Sequence, residues 1–316
     1  FLTAIDSYGH ELWRWTFPVN KLNQQTEQLS PLSSRPTYTE TENELTVKAN
    51  KRTFIFSKKD GQLKGVSVDN RKINFANGPR FIGARRADRS LDQFYNHDDE
   101  KAKEKDRTYS EFPDAAVFTK LDVKEDGGNL VVTANYKLGN LDKAQWTINP
   151  SGELALDYTY NFSGVVDLMG IRFDYPEDQV ISKRWLGAGP YRVWQNRIHG
   201  TQYDVWENDY NDPIPGETFT YPEFKGYFGD VSWMNIQTKE GTISLTNEAP
   251  DAYIGVYQPR DGRDRLLYTL PESGISVLNV IPPVRNKVNS TDLCGPSSQP
   301  KWVNGPQTGR VIFRFM

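Results

Sequence analysis

Residues that staple a fold are scarce in this sequence. Cys294 is the one cysteine among 316 residues, so the chain can close no disulfide within itself and builds no cysteine-rich metal site. That thiol reads as a small semi-buried residue rather than a reactive one. Long apolar runs are missing as well. No stretch is long enough to cross a membrane as a helix, and the first residues lack the charged-then-apolar pattern of a secretion signal. Charge of one sign is not in excess: 38 basic residues face 41 acidic ones, for a formal net charge of -3. The basic residues are scattered, which excludes non-specific nucleic-acid binding by a concentrated positive field. Neither nucleic acid nor a membrane is therefore an expected partner. Helical signals are few. The stretch DDEKAKEKDR (98–107) has no apolar face and reads as an exposed loop or a short solvated helix. A phosphate-cradling glycine loop is also lacking, because Gly187 and Gly189 have no third glycine and no following helix. The chain starts on Phe1 rather than methionine, as expected of a mature product or an excised fragment.

Aromatic residues, by contrast, make up 13% of the chain. Such enrichment suits β-structure and also suits sugar binding. Strand patterns recur throughout. ENELTVKAN (42–50) alternates Leu45 and Val47 with polar neighbours. The segment 51–73 reads as strand, Asp60-Gly61 turn, strand, Asp69-Asn70 turn, strand. NLVVTANYKL (129–138), AQWTINPSGELALDYTYNF (144–162), GTISLTN (241–247) and GRVIFRFM (309–316) repeat the pattern, with turn residues such as Pro150-Ser151-Gly152 at hairpin spacing. Many strands without intervening helices predict an all-β protein, a large antiparallel sandwich. Residues 1–20 read as a turn at Ser7–Gly9 followed by a strand, and 21–36 as a polar linker. One strand is not a domain. The expected division is a terminal strand plus linker over 1–37 and the sandwich over 38–316.

Four segments, in order, carry a family resemblance: GHELWRWTF (9–17), NKRTFIFSKKDGQLKGVSVDNRKI (50–73), GPRFIGARRAD (78–88) and WLGAGPYRVWQNR (185–197). Together they resemble the C-terminal part of the large β-galactosidases of glycoside hydrolase family 2. The spacing of Trp185, Gly187, Gly189, Pro190 and Arg197 is the most specific element. The resemblance implies a β-supersandwich similar to galactose mutarotase, preceded by the last strand of an immunoglobulin-like domain. It also implies partners within a parent chain: that domain and a catalytic (β/α)₈ barrel, which carries the two glutamates of hydrolysis. Nothing here alternates strands with helices, so the barrel is absent and no hydrolysis is expected of this chain alone. A periplasmic or secreted bacterial location is the expectation that goes with the family. The sequence also departs from the family pattern. Where better-known members have a Glu-x-Tyr-x-Asp-Arg run after the Gly-Pro, residues 191–197 keep only Arg197. In well-studied members a tryptophan of this domain reaches the galactose pocket, and Val277 stands near that position here. The acidic residues that follow FIGARRAD in the family are mostly replaced.

The expected function is thus an accessory domain that supports the barrel and contacts carbohydrate. The segment 185–210 is its natural site, because flat aromatic faces pack on the C–H faces of a pyranose while arginine and amide groups bond its hydroxyls. The candidates are Trp185, Tyr191, Arg192, Trp194, Asn196 and Arg197, with His199 beyond them and Glu223 and Trp233 from 220–236. The competing reading is that these aromatics seal one end of the sandwich, and that Trp233 packs in the core. Two other functions stay open: an aldose 1-epimerase-like enzyme using His199 with Glu223 or Glu217 as acid and base, and a pure scaffold. No cofactor is expected. Calcium is an alternative at Asn96, Asp98 and Asp99 and at Asn208, Asp209, Asn211 and Asp212, where turn chemistry explains the same residues equally well.

Overall fold

The computed structural model describes residues 1–17, 34–86, 109–209, 226–249, 251–256, 270–283 and 296–316. Cys294, the 98–107 stretch, Asn96, Asn211, Asp212, Glu217 and Glu223 lie outside these residues. No α-helix occurs among the described residues, as the sequence pattern predicts.

In chain order the strands begin with β1 (Leu2–Ile5) and β2 (Glu11–Trp15), then β3 (Thr37–Glu40), β4 (Glu44–Ala49), β5 (Arg52–Ser57), β6 (Leu63–Val68), β7 (Arg71–Ile73) and β8 (Ala76–Arg86). The middle of the chain forms β9 (Tyr109–Glu111), β10 (Val117–Asp126), β11 (Asn129–Lys137), β12 (Leu141–Ile148), β13 (Leu154–Val166), β14 (Leu168–Asp174), β15 (Val180–Gly189) and β16 (Gln202–Asp209). The last strands are β17 (Trp233–Thr238), β18 (Gly241–Asn247), β19 (Tyr253–Val256), β20 (Ile275–Val280) and β21 (Lys301–Phe315). Nine of them form one sheet in the order β10-β11-β12-β13-β21-β18-β17-β15-β16. A ten-stranded sheet runs β19-β20-β14-β8-β6-β5-β4-β3, with β7 added to β6 and β9 to β8.

Local chemistry explains the hairpins. Asp69 and Asn70 join β6 to β7 with φ of 49° and 63°, a turn that needs both central residues in the left-handed region, where Asp and Asn are tolerated best. Side chains alternate across each strand, and in β4 every second residue (Leu45, Val47, Ala49) is buried. The two inner faces meet in an aromatic core. Phe75 packs on Phe173 of β14 at 4.8 Å and on Phe313 of β21 at 5.1 Å, and Trp146 of β12 lies 5.9 Å from Phe56 of β5. Sheet-on-sheet contact of this kind is what a sandwich requires.

The N-terminal piece corrects one expectation. It is not a lone strand: β1 pairs with β2 as an antiparallel hairpin around residues 6–10, and Asp6 accepts the backbone N–H groups of Tyr8 and His10. Among the described residues the two strands pair with each other and join neither large sheet. It touches the sandwich where Gln202 donates to the Arg14 carbonyl at 3.4 Å.

Candidate functional site

The segment 185–210 begins as β15, which lies between β16 and β17 in the nine-stranded sheet. Trp185 is fully buried; its indole meets Phe228 edge-on at 4.8 Å and donates to the Ala188 carbonyl at 3.0 Å. Gly189 faces Trp206 of β16, and a Cβ there would come within 2.4 Å of the indole. Beyond Gly189 the chain leaves the sheet and turns. Val193 exchanges both backbone bonds with Tyr227, at 2.7 and 2.9 Å, and Trp194 forms a bridge with Arg197. Trp194 is 1% exposed and meets Tyr227 edge-on at 5.7 Å. Arg192 is buried too, its guanidinium 5.7 Å over the Phe228 ring. Gln195 is anchored at both ends, its N–H to the Pro282 carbonyl and its side-chain amide to that of Gln299.

Trp185, Arg192 and Trp194 therefore act as core, which corrects their assignment as sugar contacts. A ring with both faces packed offers nothing to a pyranose. Trp185 belongs to the main core, Trp194 to a smaller cluster with Ile82, Val193, Tyr227 and Ile281, and Arg192 packs on Phe228. Tyr191, Arg197 and His199 are exposed on the turn after β15, and Asn196 is half-buried there. Trp233 is half-buried on the outer face of β17, which it shares with Asn235. Val277 is buried within β20. Asn208 is buried in β16 and Asp209 is exposed; among the described residues no group of three His, Cys, Asp or Glu is placed to hold a metal.

None of the eight sequence candidates that fall among the described residues lines the cleft that this segment does help to form. That cleft, of about 400 Å³, gathers Tyr203 of β16 with Asp230, Ser232, Asn247 and Asp251, and Phe17 from the end of the N-terminal hairpin forms one wall. Its geometry is fixed from below. The Tyr203 and Ser232 hydroxyls are 2.6 Å apart. Asn247 is buried; its side-chain amide donates to the Val231 carbonyl at 3.2 Å and its oxygen accepts from the Ala249 N–H at 3.1 Å. Ser232 N–H reaches the Leu186 carbonyl at 2.9 Å, which ties this loop to β15. Asp230 and Asp251 both adopt positive φ, at 50° and 51°. Tyr253 beside them has its phenol pKa raised, first by burial and then by these two carboxylates. The cleft thus pairs an exposed aromatic wall with two hydroxyls and two acceptors on a packed floor. Pockets built this way hold polar small molecules by a few placed groups. Sequence reasoning missed Asp230, Ser232, Asn247 and Asp251, because Asn247 ends β18, the others come from the segments before β17 and after β18, and the four share no local pattern.

The two-sheet antiparallel architecture and this polar cleft define a large all-β sandwich domain built around one aromatic core. The family model of the β-galactosidase small chain matches residues 48–283, and the chain belongs to that family. No curated protein matches it. Among solved structures, galactose 1-epimerase from Lactobacillus acidophilus NCFM aligns over 90% of this chain and 99% of its own, at 10% identity and a TM-score of 0.48. A galactose mutarotase-like protein from Lactobacillus casei covers 86% of this chain and 100% of its own, at 11% identity and a TM-score of 0.40. The GalM/aldose epimerase homologue from C. elegans gives 89% and 99%, 6% identity and a TM-score of 0.40. Likeness at that level carries no functional argument.

Proposed function

We propose that this chain is the accessory domain of a glycoside hydrolase of family 2 resembling β-galactosidase, and that it contacts carbohydrate through the Tyr203–Asp251 cleft. The observation that carries the contact is the convergence there of Phe17, Tyr203, Asp230, Ser232 and Asp251. Carboxylate oxygens accept hydrogen bonds from pairs of sugar hydroxyls, and an aromatic wall packs on a pyranose face. Family membership supports a larger parent protein; that this parent carries a catalytic barrel and an immunoglobulin-like domain and works in the bacterial periplasm or outside the cell is part of the same proposal. The chain itself is not a hydrolase in this reading, because its described residues show no alternation of strands and helices from which to form a barrel.

The test is a titration with galactose and β-linked galacto-oligosaccharides, followed by NMR and tryptophan fluorescence, on the wild type and on Asp251→Asn and Tyr203→Phe. Saturable shifts at residues 201–203 and 230–251, weakened in both variants, are expected. Binding that both variants leave unchanged, or shifts confined to other surfaces, would sink the assignment of the cleft. Release of aryl galactoside product by the chain alone would sink the accessory role.

A further inference from the structure

The ten-stranded sheet bears a second cleft, of about 750 Å³, which shares no residue with the first. That volume lies within the roughly 300–1,000 Å³ typical of ligand sites. Strands β8 and β14 run through it, and their register sets Arg80 directly opposite Arg172. Like charges opposite each other on a sheet are unfavourable, so each guanidinium needs an anionic or acceptor partner.

Arg80 has its partners. One arm of its fork pairs with the Asp174 carboxylate, and its Nε donates to the Asn77 carbonyl at 2.9 Å. Asn77 in turn donates its side-chain amide to Asp174 at 2.9 Å, so each oxygen of that carboxylate has a partner. Arg172 is served only in part. One arm donates to the backbone carbonyl of Glu272, but its Nε is buried without a hydrogen-bond partner among the described residues. Burial, and then Arg80, lower the Arg172 pKa, while Glu111, Asp174 and Asp114 oppose them through space. Ser273 follows Glu272 in the chain. It is 3% exposed, lines the same cleft, and its hydroxyl likewise has no partner among the described residues.

A buried N–H and a buried hydroxyl on residues that line the same cleft lack the same thing, an acceptor. Native structures rarely leave such groups unmet, and the exceptions call for a missing ligand, water or ion. The surrounding charge selects among acceptors. Lys64 and Lys72 stand on the walls with the two arginines, against Asp174, Glu177 and Glu272. Lys64 is held by Asp60 at 2.7 Å and Asp174 by Arg80, which leaves the balance near neutral with Arg172 at the centre. Such a balance suits a ligand of one negative charge better than polyphosphate or nucleic acid, which Glu177 and Glu272 would repel.

We propose that this cleft binds a singly charged oxyanion, a carboxylate or a sulfate, carried on a sugar, with Arg172 Nε and Ser273 Oγ as its donors. That the carrier is a sugar rests on the carbohydrate reading above; the oxyanion does not. The class of ligand is therefore an acidic saccharide, a uronate or a sulfated sugar.

The experiment is calorimetric and NMR titration of the full chain with four probes: a galacturonate disaccharide, galactose 6-sulfate, neutral galactobiose and sodium sulfate. Each is run at low salt and with added sodium chloride. At least one acidic sugar is expected to shift residues of β8, β14 and 272–274. It should bind about tenfold or more tightly than galactobiose at this cleft, and weaken with salt. The uronate and sulfate arms identify which oxyanion fits. Arg172→Gln should lower affinity about tenfold or more, and Ser273→Ala several-fold. If Arg172→Gln does not fold, Ser273→Ala and Lys72→Met carry the test. Equal binding of acidic and neutral sugars overturns the proposal. So does a folded Arg172→Gln or Ser273→Ala variant with unchanged affinity, or silence from both acidic sugars. Binding of inorganic sulfate that a sugar ring does not improve overturns the saccharide part. The two clefts share no lining residue, so shifts at β8, β14 and 272–274 are read apart from shifts at 201–203 and 230–251, and the two cleft assignments fail separately.

Discussion

Replacing Trp194 with alanine removes an indole that is 1% exposed and packed against Tyr227, Val193, Leu278 and Ile281. An aromatic side chain of this size buries about 150–250 Å². At about 25 cal/mol per Å² that burial contributes about 4–6 kcal/mol. Measured Trp→Ala losses in cores run about 3–5 kcal/mol, part of it the cavity left behind. We expect about 4 kcal/mol, read as a fall of roughly 1 M in the urea midpoint. The assay is urea unfolding followed by far-UV circular dichroism, so that loss of one indole does not alter the signal. Trp194→Phe should recover most of the midpoint, since a phenyl ring still fills the end of the sandwich beside Tyr227. Sugar titrations of the alanine variant below its unfolding transition should retain the wild-type response at the Tyr203 cleft. The contrary result is specific: an unchanged midpoint together with lost sugar binding would mean that the indole is an open platform, and the end-cap assignment would fall.

Gly189→Ala places a Cβ 2.4 Å from the Trp206 indole, so β15 and β16 must part or the ring must leave its rotamer; a loss of about 1–3 kcal/mol is expected by thermal unfolding. Glu153→Gln breaks a 2.7 Å ion pair with Arg314 in which both side chains are mostly shielded, and should cost about 1–3 kcal/mol in urea titration. Asp114 has its carboxyl pKa raised, chiefly by burial, with the Ala116 N–H, Arg80 and Arg172 acting the other way. A raised folded pKa favours the protonated folded state, so its contribution is present below the unfolded carboxylate range and lost as pH rises through the folded pKa. Asp114→Asn should therefore remove that loss, and the variant should gain stability relative to wild type between pH 3 and pH 6. A stability difference that is flat across that window would contradict the raised pKa.

The parts of the fold that were legible in the sequence are those settled within a few residues. Asp69-Asn70 could be read as a turn because both residue types tolerate the positive φ that both adopt, and 44–49 as a strand because its apolar residues fall on one face. Sheet order is a different matter. β13 pairs with β21 over thirteen residues, from Leu154 opposite Phe313 to Val166 opposite Lys301, and nothing local in either strand specifies a partner so distant in the chain. Function is distributed in the same non-local way. The stretch 185–210 was legible as unusual, but aromatic content alone does not distinguish a sugar platform from a sealed end. What decides it is Tyr227 and Phe228, which arrive from a later segment to cover Trp194, Arg192 and Trp185. Tyr203, from the same stretch, stays half-buried because, among the described residues, β16 lies at the edge of its sheet beside β15. The loops after β16 and β18 then bring Asp230, Ser232 and Asp251 to that open side. The residues left free to meet a ligand are thus set by which strand lies at the edge, a property of the assembled sheet rather than of any segment read alone.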